Sequence, residues 1–167
     1  GTSTDLNTLG GTDGSIQGLE EINASTAVAG VTIDLNGQSE GFTVTGSGND
    51  DVITTGSGVD NVDGGAGADT IDVGAGDETL SGGAGDDVLT GGAGVDTIDG
   101  GADNDTINLA NGDFAVGESI DGGTGTDELV LTNATTVDFT TGTLANLQTL
   151  TGSTGDDIVT ISVAFLD

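Results

Sequence analysis

Seven acidic side chains recur at an unbroken spacing of nine: Asp51, Asp60, Asp69, Glu78, Asp87, Asp96 and Asp105. Carboxylates in such number either exchange protons with a substrate or hold a hard cation. Proton-transfer chemistry finds little support around them. The chain contains no His, Lys, Arg, Cys or Tyr, so a nucleophile, base or oxyanion-stabilising partner would have to be another carboxylate or a hydroxyl. Two carboxylates could cleave a glycoside, but no pair stands out from the repeat and no Trp or Tyr is present to stack on a sugar. The expectation is a chain that is not an enzyme. The cation reading is favoured by charge: 29 acidic residues, no basic ones, and a formal net charge of −29 leave nothing inside the chain to offset self-repulsion. A compact fold then needs cations from solution.

The elements that would position these side chains follow from the same period. Two residues after each carboxylate stands a branched apolar residue: Ile53, Val62, Ile71, Leu80, Leu89, Ile98 and Ile107. One complete unit reads Gly82-Gly83-Ala84-Gly85-Asp86-Asp87-Val88-Leu89-Thr90. Counting from its first glycine, the carboxylate is position six and the apolar residue position eight. A nonapeptide of this kind divides into six residues of turn and three of strand, with position eight pointing inward and its neighbours outward. Two nonapeptides make an 18-residue coil with one strand in each of two opposed sheets, and coils stack about 4.7 Å apart. Glycine suits the turns because left-handed backbone angles cost other residues energy. The expected fold is all-β, a parallel β-roll or β-solenoid with ions between its turns.

Turns on one edge lie 18 residues apart, so the expected bridging pairs are Asp51/Asp69, Asp69/Asp87 and Asp87/Asp105 on one edge and Asp60/Glu78 and Glu78/Asp96 on the other. The turn glycines Gly56, Gly58, Gly65, Gly67, Gly74, Gly76, Gly83, Gly85, Gly92, Gly94 and Gly101 add main-chain carbonyl oxygens. Ca²⁺ accepts six to eight such hard oxygens in irregular geometry, whereas Mg²⁺ demands a tight octahedron and keeps its water. Zinc is disfavoured without His or Cys. Five pairs imply about five Ca²⁺ ions or more, removing about ten charges. Glu78 has a longer arm than its neighbours, and Asp103 replaces the fourth-position glycine, which distorts that turn.

After Asn108 the register slips by four residues through Asn111-Gly112-Asp113-Phe114, a small protruding loop. It resumes with Glu118 and Asp127 at position six and Ile120 and Leu129 at position eight, and Asp127 joins the candidate ligands. Strands without the strict motif are expected at Val31–Leu35, Phe42–Val44, Leu129–Leu131 and Ile161–Val163. A longer repeat matches residues 15–25 with 143–153, and Val31-Thr32-Ile33 with Val159-Thr160-Ile161, both at an offset of 128. The chain therefore reads as one continuous domain in four stretches: an N-terminal solenoid flank (1–45), the regular nonapeptide roll (46–108), the loop and last repeat (109–130), and a C-terminal flank that starts a second copy (131–167). Phe114 and Phe139 are expected to cover apolar openings in the roll. The apolar end Val163–Leu166 suggests truncation or end-to-end stacking. Phosphate recognition needs cations that the chain lacks, so no nucleic-acid partner is expected, and no apolar run is long enough to span a membrane.

The pattern G-G-x-G-x-D-x-U-x, with U apolar, resembles the repeat-in-toxin (RTX) family of hemolysin-type nonapeptides over residues 46–108 and 122–130. The flanks look like the linkers of large RTX adhesins and S-layer proteins. The resemblance implies a parallel β-roll with calcium between turns, held by backbone carbonyls and position-six Asp. It also implies type I secretion from a bacterium and folding outside the cell. Three roles follow: a calcium-dependent structural module of an adhesin, S-layer or self-assembling filament, with partners in copies of itself or neighbouring repeats; the C-terminal secretion and folding domain of an exoenzyme or toxin; or an ice-binding module, which the alanines at position three (Ala66, Ala75, Ala84, Ala93) disfavour.

Overall fold

The computed structural model describes residues 20–133 and 136–161. Strands, numbered in chain order, alternate between two seven-stranded sheets. The first holds β1 (Glu21–Asn23), β3 (Thr43–Thr45), β5 (Asn61–Ala66), β7 (Thr79–Ala84), β9 (Thr97–Ala102), β11 (Ser119–Asp121) and β14 (Thr143–Ala145). The second holds β2 (Thr32–Asp34), β4 (Val52–Thr54), β6 (Thr70–Asp72), β8 (Val88–Thr90), β10 (Thr106–Leu109), β12 (Glu128–Leu131) and β15 (Thr149–Thr151). β13 (Thr136–Asp138) and β16 (Ile158–Thr160) form a separate pair. Every pairing is parallel, as a continuously coiling chain requires. The chain is a parallel β-solenoid of about 7 turns.

Position eight forms the core. In the first sheet Val44, Val62, Leu80, Ile98 and Ile120 stack in register, and in the second Ile53, Ile71, Leu89, Ile107 and Leu129 do so. All are buried, and their flanking strand residues alternate outward. Each aliphatic side chain removed from water contributes about 1.5–3 kcal/mol, which is what a nearly Phe-free chain has to build with.

Three points refine the expected plan. The 18-residue coil holds only within the ladder, where Thr70 pairs with Val88 and Thr79 with Thr97. Outside it the coils lengthen: Thr32 pairs with Val52, Ser119 with Thr143 and Glu128 with Thr149, spacings of 20, 24 and 21. The four-residue slip gives 22, as Thr97 pairs with Ser119, and its loop closes through the Asp113 amide on the Ala110 carbonyl at 3.2 Å. Second, the division into six and three fails in the first sheet. β5, β7 and β9 run for six residues, because Gly65 pairs with Gly83 and Ala66 with Ala84, carrying the ladder into the turn. Third, the 128-residue repeat does not return to the same sheet. β1 and β15 are 128 residues apart yet end opposite sheets, and β16 lies two residues earlier than the match to β2 implies. Residues 15–19 and Ser162–Leu166 lie outside the described residues.

Phe139 is buried and meets Phe114 edge-on, ring centroids 4.9 Å apart, so both pack against the roll's interior as expected.

Glycine has two separate reasons here. Gly85 adopts φ 122°, and a Cβ there would lie 2.1 Å from the Gly67 carbonyl oxygen one coil back. Gly56 and Gly58 correct the expectation of left-handed backbone at every turn glycine: neither has positive φ, and close approach to the carbonyls of Gln38 and Glu40 excludes a side chain instead. Gly85→Ala is therefore expected to destabilise by on the order of 3 kcal/mol. Gly48→Ala, where a Cβ meets nothing within 4 Å, is expected to stay within about 0.5 kcal/mol of wild type. Thermal melts in calcium check both.

Candidate metal sites

The position-six side chains turn inward, on the first edge toward the glycine that opens their own turn, and the solenoid stacks them into two rows. Asp51, Asp69, Asp87, Asp105 and Asp127 occupy one edge, and Asp60, Glu78, Asp96 and Glu118 the other; all are buried. On the first edge each carboxylate takes an amide from the coil before it. The N–H groups of Val31, Asp51, Asp69, Asp87 and Asp105 donate to Oδ1 of Asp51, Asp69, Asp87, Asp105 and Asp127 at 2.7, 2.8, 2.7, 2.9 and 2.9 Å. The Asp127 amide ends the row on Gln148 Oε1, an amide oxygen in place of a carboxylate. The expected first-edge pairs Asp51/Asp69, Asp69/Asp87 and Asp87/Asp105 are thus in contact through one shared N–H···O bond each.

The other oxygen is left over. Asp60, Asp69, Asp87, Asp96, Asp105 and Asp127 each bury an Oδ2 that has no hydrogen-bond partner. First-position glycines make room for it on the first edge: a Cβ on Gly64, Gly82 or Gly100 would lie 2.4, 2.3 or 2.5 Å from Oδ2 of Asp69, Asp87 or Asp105. These glycines were not among the expected site residues, because the sequence pattern assigned them only to the turn.

The second edge is less regular. The Phe42 amide donates to Asp60 Oδ1 at 2.7 Å, Glu78 to Asp96 Oδ1 at 3.0 Å, and Asp96 to Glu118 Oε2 at 3.1 Å. Neither carboxylate oxygen of Glu78 accepts any hydrogen bond, so the row breaks there. Its turn begins with the buried Val73 in place of a glycine, and the longer Glu78 arm reaches toward Gly76 instead. Asp103 takes the fourth-position place with φ 80°, a backbone strain of roughly 1–3 kcal/mol.

Asp51 also stands apart. Its Oδ2 accepts the Ser47 amide at 2.6 Å, and its Oδ1 accepts the Ser47 hydroxyl at 2.9 Å as well as the Val31 amide. Its turn is closed by hydrogen bonds alone. A second row of brackets, unmarked by the nonapeptide pattern, runs the opposite way at position five. Oδ1 of Asp50, Asp77 and Asp86 accepts the amide of Ala68, Val95 and Asn104 in the coil ahead at 2.9, 3.0 and 2.9 Å.

Buried anions without a positive neighbour hold protons more tightly. Burial pushes Asp69 and Asp105 up to about 6 and Asp87 and Glu118 up to about 7, with neighbouring carboxylates adding to the rise. Burial raises Asp96 too, and burial with Asp96 alongside holds Glu78 far above the usual carboxylate range. These groups bind protons more tightly folded than unfolded. Their contribution to metal-free stability is complete below about pH 4 and is lost as pH rises through 6 to 7. In chelator, β-structure is expected to grow as pH falls from about 8 to 5; circular dichroism that weakened over this range would contradict the assignment.

A cation can replace the proton. Among the described residues no three carboxylates converge, so any ion must complete its shell with main-chain carbonyls. The donors on offer are all oxygen: the orphaned Oδ2 atoms and the turn carbonyls, such as those of Gly65 and Gly67, which face the coil ahead. That set fits Ca²⁺. Asp69, Asp87, Asp105 and Asp127 would hold it on the first edge, and Asp60 and Asp96 on the second. A bound ion there would supply charge neutralisation between coils.

The comparisons agree with this chemistry. The RTX calcium-binding nonapeptide repeat (4 copies) matches residues 43–71 and 72–107. No curated protein and no solved structure matches the chain. The matched stretch covers the regular coils with their buried carboxylate rows, and residues 43–107 are RTX calcium-binding nonapeptide repeats of the hemolysin type, folded as a β-solenoid.

Proposed function

We propose that the chain is an extracellular structural module, part of an adhesin, S-layer or filament, whose fold is switched on by calcium after secretion from a bacterium. One observation carries this reading: buried, partnerless carboxylate oxygens recur coil after coil in a chain with no Lys, Arg or His. An interior of that kind is unfavourable without an external cation. RTX repeats are typical of secreted bacterial proteins, and a calcium-free cytosol would keep such a chain open for export. The row of inward aliphatics and outward Thr and Asp side chains supports a scaffold role over a catalytic one.

Limited proteolysis across calcium concentrations tests it. Protection is expected only near millimolar calcium, the range of extracellular modules. Full protection at about 10⁻⁷ M, where high-affinity cytosolic sites fill, would place the folded form inside the cell and overturn the extracellular switch.

A further inference from the structure

Position two of the turn separates two kinds of carboxylate. The turns of Asp69, Asp87, Asp105 and Asp127 have Gly65, Gly83, Gly101 and Gly123 there, all with positive φ. Each of these turns buries an Oδ2 that has no hydrogen-bond partner. The turn Gly46-Ser47-Gly48-Asn49-Asp50-Asp51 has Ser47 in that place, and its φ is not positive. Its amide accordingly faces its own carboxylate and donates to Asp51 Oδ2 at 2.6 Å, while its hydroxyl donates to Oδ1 at 2.9 Å. The Asn49 amide donates to that hydroxyl oxygen at 3.1 Å and fixes it in place.

The same exchange occurs a second time with the same result. In Gly152-Ser153-Thr154-Gly155-Asp156-Asp157, Ser153 donates its amide to Asp157 Oδ2 at 2.8 Å and its hydroxyl to Oδ1 at 3.0 Å, and the Gly155 amide donates to the hydroxyl oxygen at 3.1 Å. The carboxylate itself has not moved. A Cβ on Gly46 would lie 2.5 Å from Asp51 Oδ2, against 2.4 Å from Gly64 to Asp69 Oδ2. The Ser47 carbonyl faces Gly65 in the next coil as the Gly65 carbonyl faces Gly83. Glycine-type and serine-type turns thus offer the same oxygens in the same places and differ in whether the carboxylate is already satisfied.

We propose that the residue at position two selects how a turn is neutralised: glycine leaves the carboxylate to calcium, whereas Ser47 and Ser153 stand in for the ion, so that the Asp51 and Asp157 turns bind none. Two charge-assisted hydrogen bonds occupy the lone pairs a cation would need, and the donor hydrogens point their positive ends at the space it would fill. Calcium could enter only by breaking both bonds. The proposal rests on the calcium reading of the glycine-type turns and specifies which turns of the solenoid are exempt from it.

Equilibrium dialysis of the full chain with radioactive calcium at millimolar concentration and neutral pH, with circular dichroism on the same samples, tests this. Asp51→Asn is expected to fold and to bind as many ions as wild type, because Asp51 is no ligand. Ser47→Gly frees Asp51 Oδ2 and is expected to bind one ion more than wild type. Should Asp51→Asn not fold, Ser47→Gly decides alone. A folded Asp51→Asn with fewer ions, or a folded Ser47→Gly with the wild-type number, would overturn the selection and leave calcium binding at the other turns standing. Failure of Ser47→Gly to fold in saturating calcium would overturn it equally, since calcium is held to take the place of the serine. Wild type that folds without binding any ion would strike at the calcium reading itself, and the selection would fall with it.

Discussion

Withdrawing calcium is expected to unfold the chain at neutral pH. Each coil of the ladder places two carboxylates inside the solenoid, and no side chain in the protein can offset them. With calcium, the Oδ2 atoms that now lack partners gain a divalent neighbour, and mass action favours the folded state that alone binds it. Without it, protons are the only substitute, and at pH 8 the raised carboxyls of Asp69, Asp87 and Asp105 have lost theirs. The aliphatic stack cannot compensate alone, since most strands contribute a single inward aliphatic residue. Circular dichroism should pass from coil in chelator to β-structure in calcium, while the radius of gyration falls from roughly 40 Å to under about 20 Å. A chain that remains a compact β-solenoid in chelator at pH 8 would show that hydrogen bonding suffices.

Asp87→Asn is expected to have opposite effects with and without calcium. Asp87 sits mid-row: its Oδ1 accepts the Asp69 amide and its own amide donates to Asp105. Asn keeps both bonds and nearly the same shape, but removes the buried charge. In chelator that relieves an uncompensated anion, so the variant should hold more β-structure than wild type. In calcium it deprives the turns on either side of a ligand. The calcium midpoint should rise by on the order of tenfold, with a shallower transition. Destabilisation under both conditions would mean that Asp87 acts only through packing. Loss under neither would dismiss the row as a ligand set.

The ladder was legible because its period is rigid. A carboxylate and a branched apolar residue, each recurring every nine residues, fix the coil length, the inward face and the two edges, and the four-residue slip after Asn108 is visible in the same count. Three things were hidden. The first-position glycines Gly64, Gly82 and Gly100 look like ordinary turn residues until their Cα atoms are seen against Oδ2. Asp51 has the ligand's place in the pattern, yet Ser47, four residues earlier, occupies its oxygens. Asp157 repeats that turn, but no nonapeptide follows it among the described residues. Gln148 closes the first row as an isostere that a search for acids passes over. The lengths of the flanking coils were not legible because, outside the repeat, loop insertions change the spacing while the stacked strands keep theirs.

The account's central claim is that the buried position-six carboxylates are calcium ligands, and counting bound ions tests it most directly. Equilibrium dialysis with radioactive calcium at neutral pH should find about five or more ions on each folded chain, and about two fewer on Asp87→Asn. A folded chain that binds one ion or none would contradict it, and would leave the carboxylate rows as a hydrogen-bonded scaffold.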